Sequence, residues 1–215
     1  MDPQAHDVRA YAEFASSKGM EIKYVVDTHL QADHLSGGRK LSEVTGVQYC
    51  LHASADVSFP FTPLSDDQEL DLGNVTLKVL HTPGHTPESI CLLIADKTRG
   101  PEPWFLLTGD TLFVGAVGRP DLPSNARESA AQLYDSLKGK ILVLPETLEI
   151  YPAHFSGSVC GAGMSGKPTS TLAFEKRWNT TLNLDRSDFV EKMTSAIPPK
   201  PAAMESTLRA NQGRG

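Results

Sequence analysis

Apolar positions along this chain come in short runs whose period changes, and the changes mark the elements. Over residues 7–18, Val8, Tyr11, Ala12, Phe14 and Ala15 fall at helical spacing. Residues 22–26 form a short β-branched run, which predicts a strand closing at Asp27-Thr28. Gly37-Gly38 leads into a predicted helix over 39–44, and 47–52 reads as a second strand. After a stretch holding Pro60 and Pro63, residues 75–80 alternate, and 90–95 and 104–107 are two more apolar strands. A helix is expected over 128–137, a strand over 148–151 and a helix over 189–193, with a tail that frays from Asn211. Strands alternate with helices early and cluster in the middle, the pattern of a mixed α/β layered domain. With no repeat and no linker, the expectation is a single domain over 1–215.

Composition narrows the classes of function. The 215 residues suffice for one well-buried core, and 40% apolar with 21% charged residues describes a water-soluble globular chain. With 20 basic and 26 acidic residues the net charge is −6, which offers no attractive field to nucleic acid or anionic lipid. No apolar run approaches the roughly 20 residues that span a bilayer, and Met1-Asp2-Pro3-Gln4 has no export-signal layout. Cys50, Cys91 and Cys160 are too few and odd in number for a disulfide framework. Cys50 and Cys91 sit in strand-like runs and are expected to be buried thiols. A reducing, cytoplasmic setting fits best, and self-association into a homodimer is compatible with the sequence.

The chemistry gathers at strand ends. Six of the seven candidates, His29, Asp33, His34, His81, His85, Asp110 and His154, lie in or just after a turn that follows a predicted strand, and His81 opens such a turn. Imidazole and carboxylate are donors that iron, zinc and manganese accept. For His29, Asp33 and His34 a solvated turn is equally open, because Asp33 and Ser36 can cap the helix that follows. In His81-Thr82-Pro83-Gly84-His85-Thr86-Pro87 the prolines fix φ and the glycine permits a turn, which stiffens the backbone around His85. Asp110, after Thr108-Gly109, needs a cation or solvent at a sheet rim, and Arg119-Pro120-Asp121 offers a local ion pair as the structural alternative. Tyr151-Pro152-Ala153-His154 repeats the strand-then-histidine pattern.

Thr28-His29-Leu30-Gln31-Ala32-Asp33-His34 resembles the His-x-His-x-Asp-His signature of the metallo-β-lactamase superfamily, with Gln31 where the second histidine belongs. The later stations extend the resemblance over nearly the whole chain. They are similar to the branch of glyoxalase II-type thioester hydrolases and persulfide dioxygenases, through Thr108-Gly109-Asp110, Gly118-Arg119-Pro120-Asp121 and Tyr151-Pro152-Ala153-His154. Gly161-Ala162-Gly163-Met164-Ser165-Gly166-Lys167-Pro168 resembles persulfide dioxygenases that are often fused to rhodanese domains, though no rhodanese-sized extension is present. The resemblance implies a four-layer αββα sandwich. Relatives carry a portion before the Asp2-Pro3 position, so the first N-terminal strands are absent here or lie outside this sequence.

By the same resemblance, a dinuclear hydrolase would use His29, position 31, His85 and Asp110 for one metal. Asp33, His34, His154 and the shared Asp110 would hold the other. A neutral amide at position 31 weakens a zinc pair meant to generate hydroxide. Persulfide dioxygenases use one Fe(II) on two histidines and a carboxylate, here His29, His85 and Asp110, and this facial triad leaves room for substrate sulfur and O2. Gln31 is then a tolerated non-ligand, Asp33, His34 and His154 surround the site, and Arg119 and Asp121 pair structurally beside it. The implied activity is oxidation of a thiol persulfide, glutathione persulfide foremost, to sulfite with one Fe(II) per chain. The alternatives are a Zn(II)-type hydrolase of glutathione thioesters and an inactive metal-binding relative. Glutathione-handling relatives place a tyrosine two residues past His154. Ser156 stands there instead, so the resemblance speaks more firmly for a persulfide than for glutathione as its carrier.

Overall fold

In the computed structural model, which describes residues 1–123, 125–195, 197 and 199–215, Tyr24–Val26 (β1), Gln48–His52 (β2) and Thr62–Leu64 (β3) form a parallel sheet. Parallel neighbours need a crossover, and Gly38–Thr45 (α2) supplies it between β1 and β2. The sequence pattern does not predict β3, because Pro63 interrupts it. Pro63 is accommodated because β3 lies at the edge of the sheet, where a missing N–H costs no ladder bond. Val8 of Val8–Ser17 (α1) packs with Val25, Leu30, Leu41, Tyr49 and Leu51 into the core of this unit, which comprises Met1–Leu64 and Pro201–Gly215.

The tail expected to fray from Asn211 is instead tied down. Ala203–Asn211 forms a helix (α6) whose Leu208 joins the same core. Asn211 is buried, its Nδ2 donating to the carbonyls of Gln31 (2.8 Å) and His34 (2.9 Å), and its Oδ1 accepting from the Ser36 amide (3.0 Å). One side-chain amide thus satisfies three backbone groups of the loop after β1, which a short polar stretch in the sequence gives no hint of.

The second unit, Ser65–Lys200, holds a six-stranded sheet. Its strands are Glu69–Asp71 (β4), Val75–His81 (β5), Ile90–Asp96 (β6), Phe105–Gly109 (β7), Glu149–Pro152 (β8) and Ser170–Thr171 (β9), in sequential order. β4 to β7 are antiparallel, β7 and β8 are parallel, and β8 and β9 are antiparallel. The long return that a parallel pair requires contains Ala126–Ser136 (α3), capped by the Asn125 side chain on the Glu128 amide. Leu133, Leu137 and Ile141 pack with Leu80, Leu106, Ile150 and Phe189 of Arg186–Ser195 (α5) in one apolar cluster. Leu172–Trp178 (α4) was not foreseen, since two short elements crowd one stretch of sequence there. The fold is mixed α/β, as the alternation of strands and helices predicts.

Asn211→Ala removes three hydrogen bonds and leaves the buried Gln31 carbonyl, the part-buried His34 carbonyl and the part-buried Ser36 amide to find other partners. We expect a loss of about 2–4 kcal/mol: about 1–3 kcal/mol for the buried Gln31 carbonyl, and less for the two part-buried groups, which water can reach. Urea unfolding with an unchanged m-value is the measurement.

Candidate metal centre

Strand direction assembles three of the candidates in the second unit. β5 runs antiparallel to β6 and β6 antiparallel to β7, so β5, β7 and β8 all point the same way. The turns that follow them share one rim, and they carry His85, Asp110 and His154. Two glycines let these turns close up. A Cβ at Gly84, which has φ +142, would fall 2.4 Å from the Leu133 Cα of α3. A Cβ at Gly118 would fall 1.9 Å from the Asp110 carbonyl oxygen and 3.1 Å from His85 Nδ1.

Hydrogen-bond chemistry fixes the protons. His85 Nδ1 lies 2.9 Å from the Arg119 carbonyl oxygen, which can only accept, so Nδ1 carries the hydrogen. His85 Nε2 stands 3.3 Å from Asp110 Oδ2, and both side chains are fully buried. The other oxygen, Asp110 Oδ1, accepts from His154 Nδ1 at 2.7 Å. An imidazole nitrogen and a carboxylate oxygen so placed repel unless positive charge, a proton or a metal ion, lies between them. Ligands about 2.0–2.1 Å from one ion at right angles stand roughly 3 Å apart, which the 3.3 Å separation matches within a small adjustment. His81 does not join the group, because its Nε2 reaches the Pro87 carbonyl oxygen at 2.8 Å.

In the first unit, His29 is buried and held by an anchor that the sequence did not single out as functional. Asp2, at φ +44, accepts from the Thr28 amide (2.7 Å), the Thr28 hydroxyl (3.0 Å) and Gln31 Nε2 (3.1 Å). A hydroxyl has one hydrogen, and the carboxylate takes it. Thr28 Oγ1 therefore accepts from His29 Nδ1 at 3.0 Å, and the nitrogen left with a lone pair is Nε2. Asp33 and His34 lie together, Nδ1 to Oδ1 at 3.1 Å. Asp27, beneath this loop, accepts from the Tyr49 hydroxyl at 2.7 Å. Burial, aided by the charge of Asp2, pushes its carboxyl up to about 7 against the hydrogen bonds from Ser36 and Tyr49. Cys50, Cys91 and Cys160 are buried and free of disulfides, and burial raises the Cys50 and Cys91 thiols to about 11.

Arg119 ties the second unit's turns together. Its carbonyl receives His85, its Nε and NH2 donate to the two Asp121 oxygens at 2.7 and 2.9 Å, and NH1 donates to the Val159 carbonyl at 3.0 Å. Glu175 of α4, fully buried, supports the same loop by accepting from the Gly115 amide at 2.9 Å. A lone glutamate in an unforeseen helix gave no sequence signal of that role. Burial alone would raise the Asp121 carboxyl, but the Arg119 hydrogen bonds and charge outweigh it and hold it below the usual range. A carboxyl lowered by folding stabilises the fold above its unfolded value, about 3.9, and the gain is lost as pH falls through the folded value. We therefore expect the stability difference between the protein and Asp121→Asn to be full at neutral pH and to shrink below about pH 4. Parallel thermal melts across that range check it.

Among the described residues, no helix is long and apolar enough to cross a membrane. Residues 5–154 match the metallo-beta-lactamase superfamily profile. The mitochondrial persulfide dioxygenase ETHE1 of Bos taurus is 28% identical, across all of this chain and 78% of its own length. A hydroxyacylglutathione hydrolase of Francisella tularensis subsp. novicida is 30% identical over 72% of this chain and 57% of its own. A metallo-beta-lactamase crystal structure from Staphylococcus aureus superposes with a TM-score of 0.91 at 32% identity. The superposition covers 98% of this chain, which spans 64% of that longer one. The fold is that of these proteins, and the chain belongs to the metallo-beta-lactamase superfamily.

Proposed function

We propose that this protein is a mononuclear non-haem iron enzyme that oxidises a thiol persulfide with O2. In this reading, residues 1–215 act as one metallo-β-lactamase-like domain, and His29, His85 and Asp110 hold one Fe(II). The net reaction is R–S–SH + O2 + H2O → R–SH + SO3²⁻ + 2H⁺, with glutathione as the first thiol to test for R. The observation that carries it is His85 Nε2 facing Asp110 Oδ2 at 3.3 Å while His85 Nδ1 is committed to a carbonyl. One further imidazole with its Nδ1 hydrogen committed, His29, completes a set of two histidines and one carboxylate, the donor set of oxygen-activating iron. His29, His85 and Asp110 would hold the iron, which would supply the redox chemistry between the persulfide sulfur and O2.

The protein's own residues do the rest. Arg119 and Thr28 keep the two imidazoles in the tautomer that offers Nε2. His154 occupies Asp110 Oδ1, so the carboxylate would have its other oxygen left for the metal. Asp33 and His34, paired with each other, and His154 act around the metal rather than on it. Gln31 stands where a dinuclear hydrolase needs a third imidazole, and its amide nitrogen is engaged by Asp2. This donor set, together with the persulfide dioxygenase relatives that match the whole chain, favours one iron over a zinc pair. Three cysteines outside disulfides suit a reducing, cytoplasmic setting.

The decisive experiment is metal analysis of the purified chain with oxygen uptake on glutathione persulfide. About one iron per chain with sulfite formed is the expected result, as one facial triad holds one ion. Two zinc ions and thioester hydrolysis would establish the hydrolase instead, and no tightly held metal would leave a non-catalytic relative. Asp110→Ala should abolish iron retention, since it removes the only carboxylate of the triad and leaves a divalent ion on neutral donors. Iron content equal to that of the unaltered protein would refute the assignment of Asp110.

A further inference from the structure

Gln31 is fully buried, and its backbone and amide nitrogen are both held in place. Asn211 Nδ2 donates to its backbone carbonyl at 2.8 Å, and its own Nε2 donates to Asp2 Oδ1 at 3.1 Å. A carboxylate only accepts, so the nitrogen end of the amide must face Asp2 and the oxygen end must face away. That oxygen, Oε1, is buried and has no hydrogen-bond partner among the described residues. The amide lies against the His29 ring, with Nε2 3.5 Å from His29 Nδ1. Since both atoms carry hydrogen, this is a packing contact rather than a hydrogen bond. Asp2 therefore fixes two neighbours at once, the tautomer of His29 through Thr28 and the direction of the Gln31 carbonyl.

A buried carbonyl held rigidly without a donor is costly, and a structure keeps one where a ligand or water supplies the hydrogen. We propose that Gln31 is a water-positioning residue: its Oε1 accepts the hydrogen of a water held at an open position of the metal that His29 binds. The inference rests on the metal site of the preceding section and goes beyond it, because it gives the residue that replaces an imidazole a task of its own. An imidazole at position 31 would donate to the metal and fill a position. An amide oxygen anchored through its nitrogen instead keeps that position open and hydrated. The chemistry needed of the ligand is an O–H donor, which water supplies at rest.

The test loads the full chain and Gln31→Met, which keeps the shape but has no acceptor, with Mn(II) to equal measured stoichiometry. The relaxation rate of bulk water protons then reports exchangeable water on the ion. The expected result is strong enhancement in the unaltered protein, and in Gln31→Met loss of the share owed to one of the open positions, at the same metal content and melting temperature. Gln31→Leu serves the same purpose if the methionine variant does not fold. Gln31→His should lose the same share of the water signal, raise zinc uptake and bring no gain in oxygen uptake, because the new imidazole fills that position. Equal enhancement in the unaltered protein and Gln31→Met overturns the proposal and leaves the metal site standing. Loaded protein that shows no water enhancement overturns it too. Unaltered protein that takes up no metal overturns the metal site and this inference together.

Discussion

The constraint on which the second unit turns is a buried carboxylate and a buried imidazole nitrogen facing each other at 3.3 Å. Neither partner can relax away. His85 is held from behind by the Arg119 carbonyl, and Asp110 is held on its other oxygen by His154. Each restraint has its own support, since Arg119 is clamped on Asp121 and the chain beside Asp110 approaches too closely for any residue but glycine at 118. Desolvated charges of this kind are unfavourable in a core. A binding site accounts for the rigid placement, because preorganised donors lower the cost of capturing an ion.

The two units reach the same chemical end by different means. In the second, a backbone carbonyl at a glycine-bounded turn sets the tautomer of His85. In the first, a side-chain relay does so, Asp2 taking the Thr28 hydrogen and Thr28 taking that of His29. The relay brings a second carboxylate close to Asp27. The environments of the two differ, because burial and the charge of Asp2 drive Asp27 toward its neutral form.

The stations of the site were legible in the sequence because each follows a run whose period is plain: β5 before His85, β7 before Asp110 and β8 before His154. What brings them to one rim is strand direction, which depends on pairings between distant segments and has no local signature. The elements that went unseen share a cause. β3 contains a proline, β4 and β9 are three and two residues long, and α4 and α6 follow polar, proline-containing stretches in which a short amphipathic pattern does not stand out. Asp2 was invisible for a similar reason. A terminal aspartate reads as solvated, and only the return of the chain at Thr28, 26 positions later, turns it into an anchor.

Asn211 shows how such a long-range contact bears on the site. It binds the carbonyls of Gln31 and His34, and so it holds the backbone on both sides of Asp33. The Gln31 and His34 carbonyls lie outside any strand or helix, and Asn211 supplies the donor that each would otherwise have to find in water. The order of the loop therefore comes from segments distant in sequence, Asp2 on one side and Asn211 on the other. The residues between His29 and His34 can then be chosen for chemistry, including an amide at position 31, without the loop having to stabilise itself.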